Sequence, residues 1–206
     1  ISKGYTSFDI GDDNFSFNID RAKLICTLII QKGLNIRFEL RNGLRVDKVD
    51  EELLTLLKQA GCKFIAYGVE SIDTETLKLM HKGITKEKVI KAHEMTTRAG
   101  IPHSFFFIIG LPGHTYAKFK TDLEFAKSLN LDEVRFYTAV PYPGSELYTW
   151  VQEKAKNKKE DYLNDLDMFE GKPVFETDDF SYAERTKAFL EAERYVMAFA
   201  AKSELG

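Results

Sequence analysis

The chain has 206 residues, of which 44 % are hydrophobic and 30 % charged, with a formal net charge of -3. That composition suits a globular chain with a full core and excludes a disordered one. The slight negative charge gives no reason to expect nucleic acid, whose phosphates are met by Lys and Arg. No apolar run reaches the ~20 residues of a membrane helix.

Asp9, Asp12 and Asp13 argue against a signal peptide, so the expected location is the cytoplasm, with no membrane partner. The first residue is Ile1 rather than Met, which gives the expectation of a processed product or an excised piece. The two cysteines, Cys26 and Cys62, offer no disulfide framework or zinc ribbon. Each sits among apolar neighbours and reads as a small core residue.

Five strand candidates recur along the chain, alternating with helical patterns. Thr6–Ile10 comes first, followed by a helix over 19–32 that places Ala22, Ile25 and Ile29 on one face and stops at Gly33. Asn35–Leu40 is the second strand, and a Leu-rich helix over 50–60 ends at Gly61. Phe64–Val69 is the third. Thr85 caps a helix over 86–99 that stops at Gly100. His103–Ile109 is the fourth strand, its Phe105-Phe106-Phe107-Ile108-Ile109 run typical of a strand covered on both faces. A helix over 116–129 stops at Asn130, and Val134–Val140 is the fifth strand. Gly or Asn past each helix supplies the left-handed stop. After Pro141-Tyr142-Pro143-Gly144 come a helix over about 145–155, a charged stretch over 156–167 read as a linker or exposed loop, and a last helix over 182–203. Ser181 and Glu184 form a capping box there.

Strand starts roughly thirty to forty residues apart are the period of a βα unit. Right-handed crossovers then give either an open doubly wound sheet or a partial barrel, because five units cannot close an eight-stranded one. Ligands of such folds bind beyond the carboxyl ends of the strands. There the sequence places Asp12, Asp13 and Asn14, then Arg41, Asn42 and Arg45, then Glu70 and Ser71, then Gly110 to Thr115, then Pro141 to Pro143. Carboxylates suit amino groups or ribose hydroxyls, and arginines suit carboxylates. The bland alternative is that loops are polar and that Asp-Asp-Asn caps the next helix. No phosphate-binding P-loop, dinucleotide fingerprint, zinc helix or nucleophile elbow occurs, and the four histidines lack metal-ligand spacing.

The ordered motifs go further. DIGDDNF at 9–15, RNGLRVDKVDEELLTLLKQAGC at 41–62, GVES at 68–71, KGIT at 82–85, FFFIIGLPGHT at 105–115 and PYPGSELY at 141–148 resemble the radical SAM superfamily. The nearest likeness is to the branch that often carries a cobalamin-binding domain upstream, and it covers about residues 1–150. The resemblance implies an α/β partial TIM-type barrel of (β/α)6 type, here lacking its first strand. Residues 1–150 would form the barrel and 151–206 a linker with a C-terminal helical extension. It also implies S-adenosylmethionine (SAM) and a four-iron four-sulfur cluster held by C-x3-C-x2-C after the first barrel strand. That motif is absent, so the cluster ligands are expected outside this chain, and the branch allows cobalamin in the full-length protein.

By the same resemblance, Asp12 and Asp13 stand where relatives hold the methionine amino group. Arg41 and Arg45 would meet the methionine carboxylate or the substrate. Glu70 and Ser71 would reach the ribose or methionine moiety. Ile109, Gly110 and Leu111 would lie beside the adenine, and Val140 and Pro141 would flank it. Two positions depart from the pattern: His114 stands where relatives usually have Glu, and Ile72 where they often have a small residue. The implied function is the SAM-binding part of a radical SAM enzyme, acting by radical chemistry or cobalamin-dependent methyl transfer on a small molecule and inactive as this piece alone. The alternative is a non-catalytic α/β binding module derived from such a barrel. Open edges at the first and last strands are expected to favour self-association.

Overall fold

The computed structural model describes residues 1–163 and 171–203. Its main sheet has five strands in the order β1 (Ser7–Asp9), β2 (Arg37–Leu44), β3 (Cys62–Glu70), β4 (His103–Ile109) and β5 (Glu133–Thr138). The strands run parallel, so sequence order and spatial order coincide, as successive right-handed βα units require. The helices are α1 (Ile19–Gln31), α2 (Glu51–Ala60), α3 (Thr74–Leu79), α4 (Lys86–Arg98), α5 (Tyr116–Ser128), α6 (Glu146–Lys154) and α7 (Tyr182–Ser203). A small antiparallel ribbon pairs β6 (Asn157–Lys158) with β7 (Phe175–Glu176).

Side chains stop and start these helices as their chemistry predicts. Asn18, Asp50, Asp73, Thr85, Thr115 and Ser145 each accept a backbone N–H from the first turn of the helix that follows. Ser181 and Glu184 make the expected capping box, with the Glu184 carboxylate on the Ser181 N–H at 3.0 Å and the Ser181 hydroxyl on the Glu184 N–H at 3.3 Å. Gly61 closes α2 at φ +103°, and a Cβ there would lie 2.1 Å from the Ile36 carbonyl oxygen, so only glycine fits.

The expected elements are all present, with shifted ends. β2 runs four residues further than Asn35–Leu40, through a register shift between Leu40 and Leu44. Arg41 therefore stands inside the strand and not after it. α3 was not expected: six residues are too few to show helical periodicity. The charged stretch over 156–167 is not wholly a loop, since Asn157–Lys158 pair with Phe175–Glu176; residues 164–167 lie outside the described residues.

The packing forms two compact units. One comprises Ile1–Val69, Ile84–Phe106 and Leu131–Glu133, the other Glu70–Gly83, Phe107–Asn130 and the chain from Val134 onward. The first unit buries Phe38, Leu40, Leu53, Leu54, Leu57 and Tyr67, and α1 lies against α2. In the second, Phe107 stacks on Phe136 at 5.0 Å, and Phe119 meets Phe136 edge-on. A further cluster gathers Leu111, Ala139, Val151, Tyr162, Val174 and Phe175. No helix among the described residues is long and apolar enough to cross a membrane.

Candidate functional site

In the second unit the chain leaves β3 at Glu70, whose φ is +67°. A non-glycine residue in that region stores roughly 1–2 kcal/mol of strain, and such residues collect at binding and catalytic sites. The Glu70 carboxylate accepts from Lys82 Nζ at 2.6 Å in a largely buried ion pair. Ser71 is fully buried: its Oγ donates to Asp122 Oδ1 at 3.1 Å and accepts from the Asp73 N–H at 3.0 Å. The same Asp122 oxygen takes the Ile72 N–H at 2.8 Å. Ser71 thus holds the loop after β3 onto α5.

The loop after β4 is held by the same aspartate. The Gly110 N–H donates to His114 Nδ1 at 3.0 Å, which leaves the ring hydrogen on Nε2. That nitrogen lies 3.2 Å from Asp122 Oδ2. The contact has ion-pair reach but not hydrogen-bond alignment, since neither atom has a hydrogen-bonded partner among the described residues. Lys118 Nζ adds a second tie, to Asp73 at 2.9 Å and to the Gly113 carbonyl at 2.8 Å. Buried networks of this kind fix loops because any unmade bond in them is costly.

Beside these loops is a cavity of about 680 Å³. Its walls include Ile108, Leu111, Tyr137, Val140 and, from α7, Phe189 and Glu193. A second opening of about 450 Å³, lined in part by His81, Pro112 and Trp150, shares Met80 and Leu147 with it.

The residues expected at the site fall into distinct places. Leu111 and Val140 line the large cavity. Ile109 is buried, and its carbonyl accepts the Ala139 N–H. Pro141 is buried, its carbonyl taken by the Tyr162 hydroxyl. Gly110, at φ +89°, has the space of its missing side chain filled by Arg185, whose Nη1 a Cβ would meet at 2.1 Å.

The first unit holds Asp12, Asp13, Arg41 and Arg45. Asp12 accepts from the Asn14 N–H at 2.9 Å and pairs with Arg21 at 3.1 Å, whereas Asp13 is exposed and makes no ion pair among the described residues. Arg41 pairs with Glu39 at 2.5 Å and Glu133 at 3.3 Å and lies over the Phe64 ring. The Glu39 hydrogen bond holds its guanidinium above its usual range, against the cost of burial. Arg45 forms a two-point pair with Asp47, at 2.9 and 3.0 Å.

Neither cysteine suits a metal. Cys26 and Cys62 are buried and free, and burial pushes their thiols up to about 11 and about 12, far from the thiolate that a cluster needs. Among the described residues no group of three or more His, Cys, Asp or Glu could hold a metal ion.

The Radical SAM superfamily model matches residues 1–126. The chain belongs to the radical SAM superfamily. An uncharacterized methyltransferase of Pyrococcus horikoshii is 33 % identical over 147 residues, 71 % of this chain and 32 % of that protein. The cytidylyl-2-hydroxyethylphosphonate methyltransferase of Streptomyces wedmorensis is 27 % identical over 151 residues, 70 % of this chain and 28 % of its own. The chain therefore spans a third or less of the length of these relatives. Among solved structures, the radical SAM methyltransferase TsrM of Kitasatospora setae, with cobalamin and a 4Fe-4S cluster bound, superposes at TM-score 0.62 and 21 % identity. The match covers 68 % of this chain and 27 % of that one. Coproporphyrinogen III oxidase HemN of Escherichia coli, a radical SAM enzyme, gives 0.59 at 14 % identity over 91 % of this chain and 38 % of its own. At those identities the likeness is one of fold, and the fold is the expected α/β partial barrel of this superfamily.

Lys82, Asp122 and Arg185 escaped the sequence reading. Lys82 lay within the KGIT motif, but its link to Glu70 spans twelve residues. Asp122 lies in mid-helix, where an aspartate reads as solvated, and Arg185 lies beyond the motifs altogether.

Proposed function

We propose that this chain is the SAM-binding part of a radical SAM enzyme of methyltransferase type. The observation that carries the reading is the paired rim of the second unit. Two strand-end loops are tied to the same Asp122: the first begins at Glu70, which is paired with Lys82, and the second enters a cavity wall at Leu111, which Val140 shares.

The residues fit the ligand. The methionine end of SAM carries one ammonium and one carboxylate, which a carboxylate and an ammonium already side by side can take in exchange for each other. The apolar wall suits the adenine face. Ser71 and Gly110 hold loops, and contact with ligand passes to Glu70, Lys82, Leu111 and Val140. When bound, SAM supplies the methyl or 5′-deoxyadenosyl group, and these residues bind and orient it.

The iron–sulfur cluster does not fit this chain, whose two cysteines are buried, protonated and lack the C-x3-C-x2-C spacing. Its ligands, and any cobalamin site of the full-length protein, are proposed to lie outside these residues, and the chain alone is proposed to be inactive. In the full-length, reconstituted enzyme, Glu70→Ala should weaken SAM binding by roughly 1–3 kcal/mol, the scale for stranding the partner of a charged hydrogen bond. Unchanged affinity by calorimetry removes Glu70 from the site.

A further inference from the structure

Arg185 lies in the first turn of α7 and is 2 % exposed. Its guanidinium sits 4.3 Å from the Phe175 ring centre and 4.8 Å from that of Phe180. Nε donates to the Phe180 carbonyl at 2.8 Å, Nη1 to the Gly110 carbonyl at 3.0 Å and Nη2 to Thr177 Oγ1 at 3.4 Å. Among the described residues no carboxylate forms an ion pair with it, and burial pushes it down to about 10. A buried charge without a directly paired carboxylate is costly, and Tyr182 and Glu176 offset that cost only in part. The two ring faces take the charge, but only the three oxygen acceptors need directed donors.

Of the three acceptors that the guanidinium holds and an apolar residue cannot, the Phe180 and Thr177 oxygens lie within eight residues of Arg185, whereas the Gly110 carbonyl lies in the loop after β4. The N–H of the same residue is held by His114. Both backbone polar groups of Gly110 are thus fixed by side chains from outside β4, at the residue before Leu111, which enters the cavity wall. Phe189 and Glu193, at i+4 and i+8 from Arg185, share its stripe of α7 and line the same cavity.

We infer that Arg185 is a positioning residue for the ligand cavity: by fixing the Gly110 carbonyl it sets where Leu111 stands in the wall, and it makes α7 part of the binding site. The inference rests on the SAM reading only for the choice of ligand.

The test compares wild type, Arg185→Met and Arg185→Lys in the full-length, reconstituted enzyme. Three readouts are taken: thermal unfolding, amide exchange at Gly110 and His114, whose N–H groups are bonded to His114 Nδ1 and the Leu111 carbonyl, and calorimetric titration with S-adenosylhomocysteine. Methionine fills the slot between the two rings without charge or directed donors, while lysine keeps a charge and one donor. Arg185→Met should exchange at Gly110 and His114 about 10-fold faster than wild type, with exchange along 116–128 unchanged, and bind about 10-fold more weakly, the tenfold that one lost charged hydrogen bond represents. Arg185→Lys should recover part of both losses. Unchanged exchange at those two amides overturns the inference. So does a lowered melting temperature with faster exchange spread across 107–130, and so does an Arg185→Met protein that fails to fold, because each marks a purely structural residue. If wild type itself does not bind S-adenosylhomocysteine, the SAM reading fails, and the exchange measurement still decides the positioning role.

Discussion

His114 Nε2 lies 3.2 Å from Asp122 Oδ2, with both side chains at least 98 % buried. This pair joins the loop after β4 to the helix that carries the loop after β3. The ring takes the Gly110 N–H on one side and faces a carboxylate on the other.

Removing Asp122 should therefore be severe. Asp122→Ala strands the Ser71 hydroxyl and the Ile72 N–H and takes the carboxylate from beside the His114 ring, at a cost of about 3–5 kcal/mol. Asp122→Asn keeps one acceptor and should cost about 1–2 kcal/mol. Urea unfolding measures both; equal, small losses would mean that the network does not hold the loops.

Glu70 allows its backbone strain to be separated from its charge. Glu70→Ala and Glu70→Gly both lose the carboxylate, but only glycine adopts φ +67° freely. Glu70→Gly should be more stable than Glu70→Ala by about 1–2 kcal/mol. Equal melting temperatures would show that the loop relaxes without strain.

Acid should weaken the first unit through a histidine pair. His93 Nδ1 lies 2.8 Å from His103 Nε2, and the Ile101 carbonyl lies 3.2 Å from His103 Nδ1. Burial lowers both rings below their usual range; nearby Glu94 and Asp132 raise His93 only in part, as the Ile101 carbonyl and Asp132 do His103. A ring depressed in the folded state contributes stability that is complete above pH ~6.5, the unfolded value, and is lost as pH falls through the lower folded values. Unfolding midpoints should therefore drop between pH 7.5 and 5.5. His93→Gln, which keeps a donor toward His103, should give a shallower drop, and an identical slope would assign the effect elsewhere.

β1 and β5 end the strand order, and β1 is exposed along all three residues. Unpaired edge groups invite pairing with another chain, and shortness limits it. The 206-residue chain is expected to associate as its concentration rises, with slowed amide exchange along Ser7–Asp9. A monomer at high concentration with fast exchange there would show an edge simply covered by water.

Much of this fold is legible in the sequence alone. The run from Phe105 to Ile109 marks a doubly covered strand, and the glycines at 33, 61 and 100 mark helix ends, because both signals are local. The proposed site is legible only in outline. That Glu70, Leu111 and Val140 lie at strand ends follows from the strand pattern. That Ser71 serves a loop, that Arg41 is engaged by Glu39 and Glu133, and that Lys82 and Arg185 belong to the rim all depend on partners up to 92 residues away. No periodicity encodes such pairs.

The central claim is that the loops after β3 and β4 bind SAM. Amide-exchange mapping of the full-length, reconstituted enzyme, with and without saturating SAM, tests it most directly. Saturable protection is expected at residues 70–73 and 109–113. Saturable SAM binding that leaves both segments unprotected would contradict it.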